Sequence, residues 1–319
     1  MVAPPILALV APCYNEEAII SDSVGILSNK MAEWKAAGLI DKKSFCCLVD
    51  DGSTDDTWRL LTLEAGVHCH CVKLAHNVGH QKALFAGMMY VADRVDCCVS
   101  LDVDLQDDVE VIPDMLRHYA QGAQVVYGVR NNRDTDTWAK RFFALCFYRV
   151  AQILGVGGIY NHADFRLLDK NTLHILQQHR EQHLYLRALI PSLKLPSAKV
   201  YYARQARTAG ETKYTIGKLL GLALNGITSF SIVPLRFITV IGFLMSTLSL
   251  VVMIKIAWDR FFGGGELTLG WASLIVSLYF IGGLIMLSLG VIGEYIGKIY
   301  IESKRRPMYV IEKEIGGNN

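Results

Sequence analysis

The chain has 319 residues, of which 52% are hydrophobic and 19% carry a charge. This composition is too apolar for an intrinsically disordered chain, and the charged fraction lies below the roughly 25% of a typical soluble domain. The mean hydropathy of +0.28 indicates that part of the chain lies in lipid. A net charge of +2 is too small for a nucleic-acid-binding protein, so we expect no nucleic-acid partner.

The first two thirds of the chain alternate between strand-like and helix-like patterns. Apolar residues recur every three or four positions from Ile20 to Trp34 and again from Ile112 to Tyr119, which predicts helices. Strands that alternate with helices predict an α/β fold with a mostly parallel sheet. The predicted strands are residues 6–12, 45–50, 67–74, 97–102 and 123–128.

All eight cysteines lie in the first 146 residues, and two pairs are adjacent within predicted strands, Cys46–Cys47 and Cys97–Cys98. Neighbouring residues of a strand point to opposite faces, so such pairs are poor disulfide or zinc frameworks. We therefore expect reduced, buried thiols in a cytosolic domain.

Four predicted strands are each followed by a polar cluster. Ligands of such sheets bind beyond the carboxyl ends of the strands, so we expect the clusters to meet at one edge. The chain lacks GxGxxG after the first strand and GxxxxGK[ST] anywhere, which disfavours a Rossmann cofactor and a P-loop. The clusters are residues 12–17 (PCYNEE), 50–55 (DDGSTD), 77–82 (NVGHQK) and 102–104 (DVD).

Asp102 and Asp104 lie two positions apart at the end of a strand, so their side chains point the same way. Two carboxylates this close repel each other unless a cation lies between them, and hard oxygen ligands suit Mg²⁺ or Mn²⁺. Gln106 continues the alternation and can add a carbonyl oxygen. Such an ion usually also binds substrate phosphates, so the pair predicts a nucleotide diphosphate.

Other residues at this edge suit a nucleotide. Tyr14 can stack on a base, Asp50 or Asp51 can accept hydrogen bonds from base or ribose, and Lys82 near Gly79 can meet phosphate at a helix start. Two basic groups further along the chain would fit the phosphates of a donor and an acceptor. Attraction to anionic lipid is an alternative role for the second group. These groups are Arg130, Arg133, Lys140 and Arg141, and Arg204, Arg207 and Lys213.

Two apolar segments near the C-terminus predict a transmembrane hairpin. Residues 237–254 and 269–292 carry no charge, and each can cross a hydrocarbon core of ~30 Å at ~1.5 Å per residue. Buried core helices are the alternative, but helices without a polar face over that length are rare in a domain of this size. Lysine and arginine flank both segments and are sparse between them, which places both termini in the cytoplasm. Residues 216–233 predict a helix in the membrane interface.

Eight pieces of sequence, in order from residue 12 to residue 307, carry a family resemblance. The chain resembles the family-2, GT-A-fold glycosyltransferases that load a sugar onto a polyprenyl phosphate. Within these it is most similar to the bacterial and phage bactoprenol glucosyltransferases of O-antigen modification, with dolichol-phosphate mannose synthases as related enzymes. The pieces are PCYNEE, VDDGSTDDT, NVGHQKALFAGM, SLDVDLQDD, YGVRNNRD, ADFRLLD, ARTAGETKY and LGVIGEYIGKIYIESKRRP.

The resemblance implies roles for individual residues. It implies an acidic catalytic position at Asp164, for which a salt bridge with Arg166 or an N-cap of the following helix is the purely structural alternative. We count Asp104 with it as catalytic. The implied uridine contacts are Pro12, Tyr14, Glu16, Asp50 and Asp51, and the implied metal ligands are Asp102, Asp104 and Gln106. The implied phosphate contacts are Arg130, Arg141, Arg204 and Lys213. We assign Lys82, Asp102, Arg204 and Lys213 to the nucleotide-sugar, and Arg130, Arg133 and Arg141 to the acceptor phosphate.

The predicted reaction is an inverting transfer of a hexose, glucose by subfamily likeness, from a UDP-sugar to undecaprenyl phosphate with Mg²⁺ or Mn²⁺. A phosphate monoester already carries ~1.5 to 2 negative charges at neutral pH, so it needs no strong base. Asp164 is therefore expected to orient the acceptor or steady positive charge on the sugar as much as to take a proton. Another donor, such as GDP-mannose, and a non-catalytic scaffold or flippase subunit remain open alternatives. A processive polysaccharide synthase is disfavoured because no QxxRW motif is present.

These predictions divide the chain into four parts. We expect a homo-oligomer in the inner (cytoplasmic) membrane, with the catalytic domain and both termini cytoplasmic and membrane lipid as a further partner. The parts are a GT-A glycosyltransferase domain (1–212), an interfacial helix region (213–234), two transmembrane helices within 235–293 (about 235–257 and 269–293) and a cytosolic tail (294–319).

Overall fold

The computed structural model describes residues 3–66, 68–130, 162–179, 181–182, 184–203, 233–262 and 270–316. The chain forms two compact units. The first unit contains the described residues up to 203 together with residues 305–316, and the second contains residues 233–262 and 270–304.

The first unit is built around a sheet, to which eight described strands contribute in the order β7-β5-β6-β4-β1-β2-β3-β8. Neighbours among β1 to β4 run parallel, whereas β6 is antiparallel to both β4 and β5. The predicted α/β fold with a mostly parallel sheet is confirmed, and all five predicted strands form. The strands are β1 Leu7–Cys13, β2 Phe45–Asp50, β3 Cys69–Leu74, β4 Cys97–Ser100, β5 Val125–Arg130, β6 His162–Asp169, β7 Ser197–Tyr202 and β8 Ile311–Ile315.

Helices cover both faces of this sheet. They are α1 Ile20–Ala36, α2 Thr57–Glu64, α3 His80–Val91, α4 Ile112–Ala120, α5 Lys170–Gln177 and α6 Leu186–Ser192. Side chains alternate along the central strand β1, so Leu9 packs in one core cluster and Val10 in the other. The seven described cysteines are buried free thiols, as predicted.

Helix α3 packs closely on the sheet, which fixes the position of its first turn at the carboxyl edge. Gly87 faces Val10 and Val49, and a Cβ at residue 87 would lie only 2.5 Å from Val10 Cγ1. The absence of a side chain at residue 87 therefore lets α3 approach β1 and β2, and His80 at the start of α3 reaches the edge where the strands end.

The chain returns to the first unit after its last helix. Residues 311–315 pair antiparallel with β3, and the N–H of Ala75 donates to the carbonyl of Val310 at 2.9 Å. Met308 and Tyr309 pack against the core. This strand was not expected within the predicted tail 294–319, because the run Ile-Glu-Lys-Glu-Ile has the short, charged character of an edge strand rather than of a buried one.

Two long helices, α7 Val233–Phe262 and α8 Trp271–Ser303, form the described part of the second unit. Within the described residues, one segment, Phe280–Ser303, is long and apolar enough to span a membrane, whereas the apolar segment Leu235–Met245 is shorter. The predicted two-helix transmembrane hairpin is therefore not confirmed. The predicted interfacial helix and the turn between the two apolar segments fall mainly on residues 204–232 and 263–269, outside the described residues.

Candidate functional site

The polar clusters meet at the carboxyl edge of the sheet, as predicted. The first is joined to the second because Asn15 Oδ1 accepts a hydrogen bond from the N–H of Thr54 at 2.9 Å. The second is joined to the third because Asp51 Oδ2 accepts from the N–H of Gly79 at 2.9 Å. The third approaches the fourth through His80, whose Nε2 lies 3.5 Å from Asp102 Oδ1. Parallel strand order thus assembles one site from four separate loops.

The structure distinguishes the two adjacent aspartates at the end of β2. Asp51 uses both carboxylate oxygens to accept the N–H groups of Val78 and Gly79, at 2.8 and 2.9 Å, and so holds the loop before α3. Asp50 is fully buried, and its Oδ1 accepts from the N–H of Ser53, while its Oδ2 has no hydrogen-bond partner among the described residues. Burial raises the pKa of both carboxyls. Asp50 is therefore the one suited to accept a ligand N–H.

The other residues assigned to the nucleotide border the same cleft. Pro12 is buried at the end of β1, whereas Tyr14 is 43% exposed and offers its ring to a ligand. Glu16 is half-buried, and its N–H donates to Thr57 Oγ1 at 2.9 Å. Lys82 is half-buried in the first turn of α3. Arg204 and Lys213 lie outside the described residues.

The acidic pair after β4 lies on a tight loop. Asp104 accepts from the side-chain amide of the buried Gln106 at 2.7 Å. Burial raises the pKa of Asp102; His80 lowers it in part, and Asp107, Asp164 and Asp104 raise it further. Because the surroundings disfavour the charged form of this carboxylate, a cation bound next to it would be stabilising.

The donor set fits a hard divalent cation. Among the described residues, no group of three or more histidine, cysteine, aspartate and glutamate side chains could hold a metal ion by itself. Mg²⁺ in enzymes is commonly held by one or two carboxylates together with substrate phosphates rather than by an all-protein cage. Asp102 and Asp104, with the amide oxygen of Gln106, meet that requirement.

Asp164 forms the centre of a second cluster. It lies in β6, is 4% exposed, and its carboxylate contacts Arg166 at 2.5 Å and Arg187 at 2.9 Å. Gln81 donates to the same carboxylate at 2.9 Å, and His80 Nε2 lies 3.6 Å away. Burial alone would raise the pKa of Asp164, but His80 and the two guanidinium groups outweigh it and hold the pKa well below its usual range. A carboxylate held ionised so firmly is a poor proton acceptor, and the salt bridge with Arg166 foreseen as an alternative is present.

Sequence patterns assigned no role to His80, Gln81 or Arg187 and named Arg166 only as a structural salt-bridge partner. His80 and Gln81 lie inside the third polar cluster, and that shared loop is the signal that could have found them. Arg166 lies two residues from Asp164 on the same face of a strand. Arg187 is 23 residues from Asp164 in the short apolar helix α6, and no local pattern marks it.

Arg130 makes contacts that the sequence analysis did not foresee. Its Nη2 donates to Asp107 Oδ1 at 2.9 Å, and its Nε donates to the hydroxyl of Tyr202 at 3.2 Å. The hydroxyl of Tyr202 also donates to Asp107 at 2.5 Å. Arg130 therefore joins the ends of β5 and β7 to the loop that carries the acidic pair. The other two residues assigned to the acceptor phosphate, Arg133 and Arg141, lie outside the described residues.

Comparison with known proteins defines the class of enzyme. The family model described as Glycosyl transferase family 2 matches residues 8–178. The chain is 46% identical over 313 residues to "Uncharacterized glycosyltransferase YkoT" of Bacillus subtilis, covering 98% of this chain and 92% of that protein. It is 34% identical over 313 residues to "Prophage bactoprenol glucosyl transferase homolog" of Escherichia coli, covering 96% and 98%.

A solved structure with a similar arrangement is glucosyl-3-phosphoglycerate synthase from Mycobacterium tuberculosis in complex with Mn²⁺, UDP and glucosyl-3-phosphoglycerate. It is 18% identical with a TM-score of 0.48, covering 70% of this chain and 78% of that one. The sequence matches make this protein a sugar-transferring enzyme. The chain belongs to glycosyl transferase family 2.

Proposed function

We propose that this enzyme transfers glucose from UDP-glucose to undecaprenyl phosphate and so supplies lipid-linked glucose for cell-surface glycans such as modified O-antigen. The observation that carries the proposal is the 34% identity, over nearly the full length of both chains, to a protein named as a bactoprenol glucosyl transferase homolog. The site supports it, because an acidic pair suited to a metal-bound diphosphate lies beside a cationic centre suited to a second phosphate.

The reaction needs little proton transfer. An oxygen of the acceptor phosphate attacks the anomeric carbon of glucose, while the bond from that carbon to the β-phosphate of UDP breaks and its electron pair leaves with UDP. Attack from the face opposite UDP inverts the anomeric configuration. A phosphate monoester is already anionic at neutral pH. An ionised Asp164 that is a poor base is compatible with this chemistry.

We propose Asp102, Asp104 and Gln106 as the residues that hold Mg²⁺ or Mn²⁺. When bound, the ion offsets the charge that builds on the leaving diphosphate. Asp50 then accepts an N–H of the uracil base through its unpaired oxygen, and Tyr14 stacks on the ring. Asp51 keeps the loop before α3 in place while these contacts form.

We further propose that α7 and α8 both cross the membrane and keep the catalytic unit at the cytoplasmic surface. The helices are 30 and 33 residues long, enough to span ~30 Å at ~1.5 Å per residue. Both expose large apolar side chains, such as Phe243 at 72% and Met286 at 70%. A single cysteine introduced at residue 264 should react with a membrane-impermeant label from outside the cell, whereas cysteines at residues 30 and 315 should not. The reverse pattern would overturn this orientation.

The central experiment incubates the purified protein in detergent with undecaprenyl phosphate and, separately, UDP-glucose, UDP-galactose, UDP-N-acetylglucosamine and GDP-mannose. The lipid product is then identified by mass spectrometry. We expect abundant lipid product with UDP-glucose and little product with each of the other donors. A dominant product from GDP-mannose would refute the proposed donor, and no product from any donor would favour a non-catalytic subunit.

A further inference from the structure

The cluster around Asp164 contains more cationic than anionic groups. One carboxylate is shared by two guanidinium groups, which stay protonated under all physiological conditions. Arg166 is fully buried, whereas the side chain of Arg187 is 39% exposed. Arg166 alone can neutralise Asp164, so the surplus positive charge of these three side chains lies on Arg187, at the surface of the cleft.

Arg187 is held in one orientation. Its Nε lies 3.2 Å from both oxygens of Asp164, and its Nη2 lies 2.9 Å from Oδ2. Gln81 steadies the same arrangement, because it donates to Asp164 and accepts the N–H of Leu186 at 3.1 Å. A guanidinium has five N–H donors in a planar fork, so with Nε and one Nη2 hydrogen facing Asp164 the remaining donors point away from it. A side chain fixed in this way is organised in advance for an oxygen-rich ligand.

Arg187 contacts Asp164, which shares His80 with Asp102 of the acidic pair. His80 lies between Asp102 and Asp164, at 3.5 and 3.6 Å, and Arg187 lies on Asp164. In the proposed function, the divalent cation held by the acidic pair serves the donor diphosphate. The acceptor brings a second phosphate that has no metal of its own and therefore needs a protein cation next to the sugar.

We infer that Arg187 binds the phosphate monoester of the acceptor, held in place by Asp164 and Gln81. The inference rests on the proposed function, since it assigns a residue to that acceptor. Asp164 is then a positioning residue that orients Arg187. The pairing suits arginine specifically, because its planar fork can face a carboxylate on one side and a phosphate on the other, which the point charge of lysine cannot do.

The test compares equilibrium binding by the purified full chain of undecaprenyl phosphate in detergent and, separately, of UDP with Mn²⁺. Arg187→Gln should weaken binding of undecaprenyl phosphate by about tenfold or more and change UDP binding by less than about twofold. Arg187→Lys should fall between wild type and Arg187→Gln. The matched control is Arg117→Gln, because Arg117 is 74% exposed on α4 and pairs with Asp114. It should bind both ligands as the wild type does.

Inorganic phosphate separates the headgroup from the lipid tail. We expect it to compete with undecaprenyl phosphate on the wild type and to compete more weakly on Arg187→Gln. Weaker UDP binding with unchanged acceptor binding would overturn the inference, because Arg187 would then serve the donor. Unchanged binding of both ligands would overturn it too. If Arg187→Gln does not fold, Arg187→Lys decides: it must raise the acceptor KM while leaving the UDP affinity unchanged.

Binding and turnover fail independently in this design. A wild-type protein that binds both ligands but transfers no sugar would refute the proposed function, and the binding ratios would still test Arg187. Conversely, normal turnover together with unaltered acceptor binding and KM in Arg187→Gln would reject the role of Arg187 and leave the proposed function intact.

Discussion

The site contains two aspartate centres with opposite electrostatics. At Asp164 the carboxylate is buried with two guanidinium groups, and its pKa lies well below the usual range although burial opposes this. At Asp102, whose side chain is 38% exposed, partial burial raises the pKa, His80 lowers it in part, and Asp107, Asp164 and Asp104 raise it further. Two side chains of the same type, joined by one histidine, are therefore stabilised as anions to very different degrees.

The difference indicates which carboxylate is neutralised by the chain itself and which requires a cation from outside. The chain itself supplies the cations that Asp164 needs, so this centre is complete without substrate. The Asp102 centre becomes favourable only when a cation from outside joins it. Removing a carboxylate should therefore lower mainly the stability at the first centre, together with the acceptor binding proposed for Arg187, and mainly the transfer rate at the second.

The largest effect is expected for Asp164→Asn. The substitution leaves Arg166 buried without a counter-charge, so the free energy of unfolding should fall by roughly 3–5 kcal/mol. Denaturant unfolding of the purified protein measures this. The double variant Asp164→Asn/Arg166→Gln removes both charges and should lose less than the sum of the two single variants. If Asp164→Asn lowers the free energy of unfolding by less than ~1 kcal/mol, the proposed contrast between the two centres is wrong.

Asp102→Ala and Asp104→Ala come next. Each should lower the transfer rate by ~10²-fold or more, because charge on the leaving diphosphate is no longer offset. The melting temperature should stay near that of wild type for Asp102→Ala, since the substitution relieves repulsion, and should fall slightly for Asp104→Ala, because the buried Gln106 loses this hydrogen-bond acceptor. Asp114→Ala, at a half-exposed carboxylate on α4, is the matched control and should transfer sugar normally. Transfer that survives EDTA would contradict the metal proposal.

The sequence predicted the half of this site that lies after buried parallel strands. Strands β1 to β4 are buried nearly throughout, so they read as continuous apolar runs, and the polar residues that follow them are conspicuous. Asp102 and Asp104 were found in this way. The rule that ligands bind at the carboxyl ends of parallel strands then brought four loops together correctly.

The other half depends on pairings that are distant in sequence. Strand β6 lies antiparallel between β4 and β5, and its Arg166 is the register partner of Ser100 in β4. No sequence pattern near residue 164 indicates these neighbouring strands. Arg187 reaches Asp164 only because α6 lies against β6. Local patterns specify strands and helices, whereas the partners of a buried charge are specified by the tertiary fold.

A smaller effect tests whether the loop between the two centres must be held. Removing residues 308–319 deletes β8, the packing of Met308 and Tyr309, and the Val310 carbonyl that accepts from Ala75, just before the loop that leads to His80 and Gln81. We expect a loss of ~2 kcal/mol in stability and weaker binding of both substrates. Removing only residues 317–319 is the control. Full stability and activity in the longer deletion would show that β3 and α3 position this loop without β8.

The smallest effect concerns the support of the acidic pair. Tyr202 is buried, and its hydroxyl contacts Asp107 and Arg130, while Asp107 Oδ2 has no hydrogen-bond partner among the described residues. Tyr202→Phe should therefore cost ~1 kcal/mol in unfolding free energy, because Asp107 loses one of its hydrogen bonds. If Asp107 steadies the loop that holds the metal, the Mn²⁺ concentration for half-maximal transfer should rise as well.

The neighbouring Tyr201 provides the control for this substitution, since it is 58% exposed on the same strand. Tyr201→Phe removes the same hydroxyl group from the surface and should change stability by less than ~0.5 kcal/mol. A lower melting temperature for Tyr202→Phe with an unchanged Mn²⁺ requirement would assign the Asp107, Arg130 and Tyr202 contacts to the fold alone. A raised Mn²⁺ requirement would instead show that the residues holding the loop also contribute to metal binding. The lost hydroxyl touches neither Asp102 nor Asp104, so it would have weakened binding of the ion through the loop.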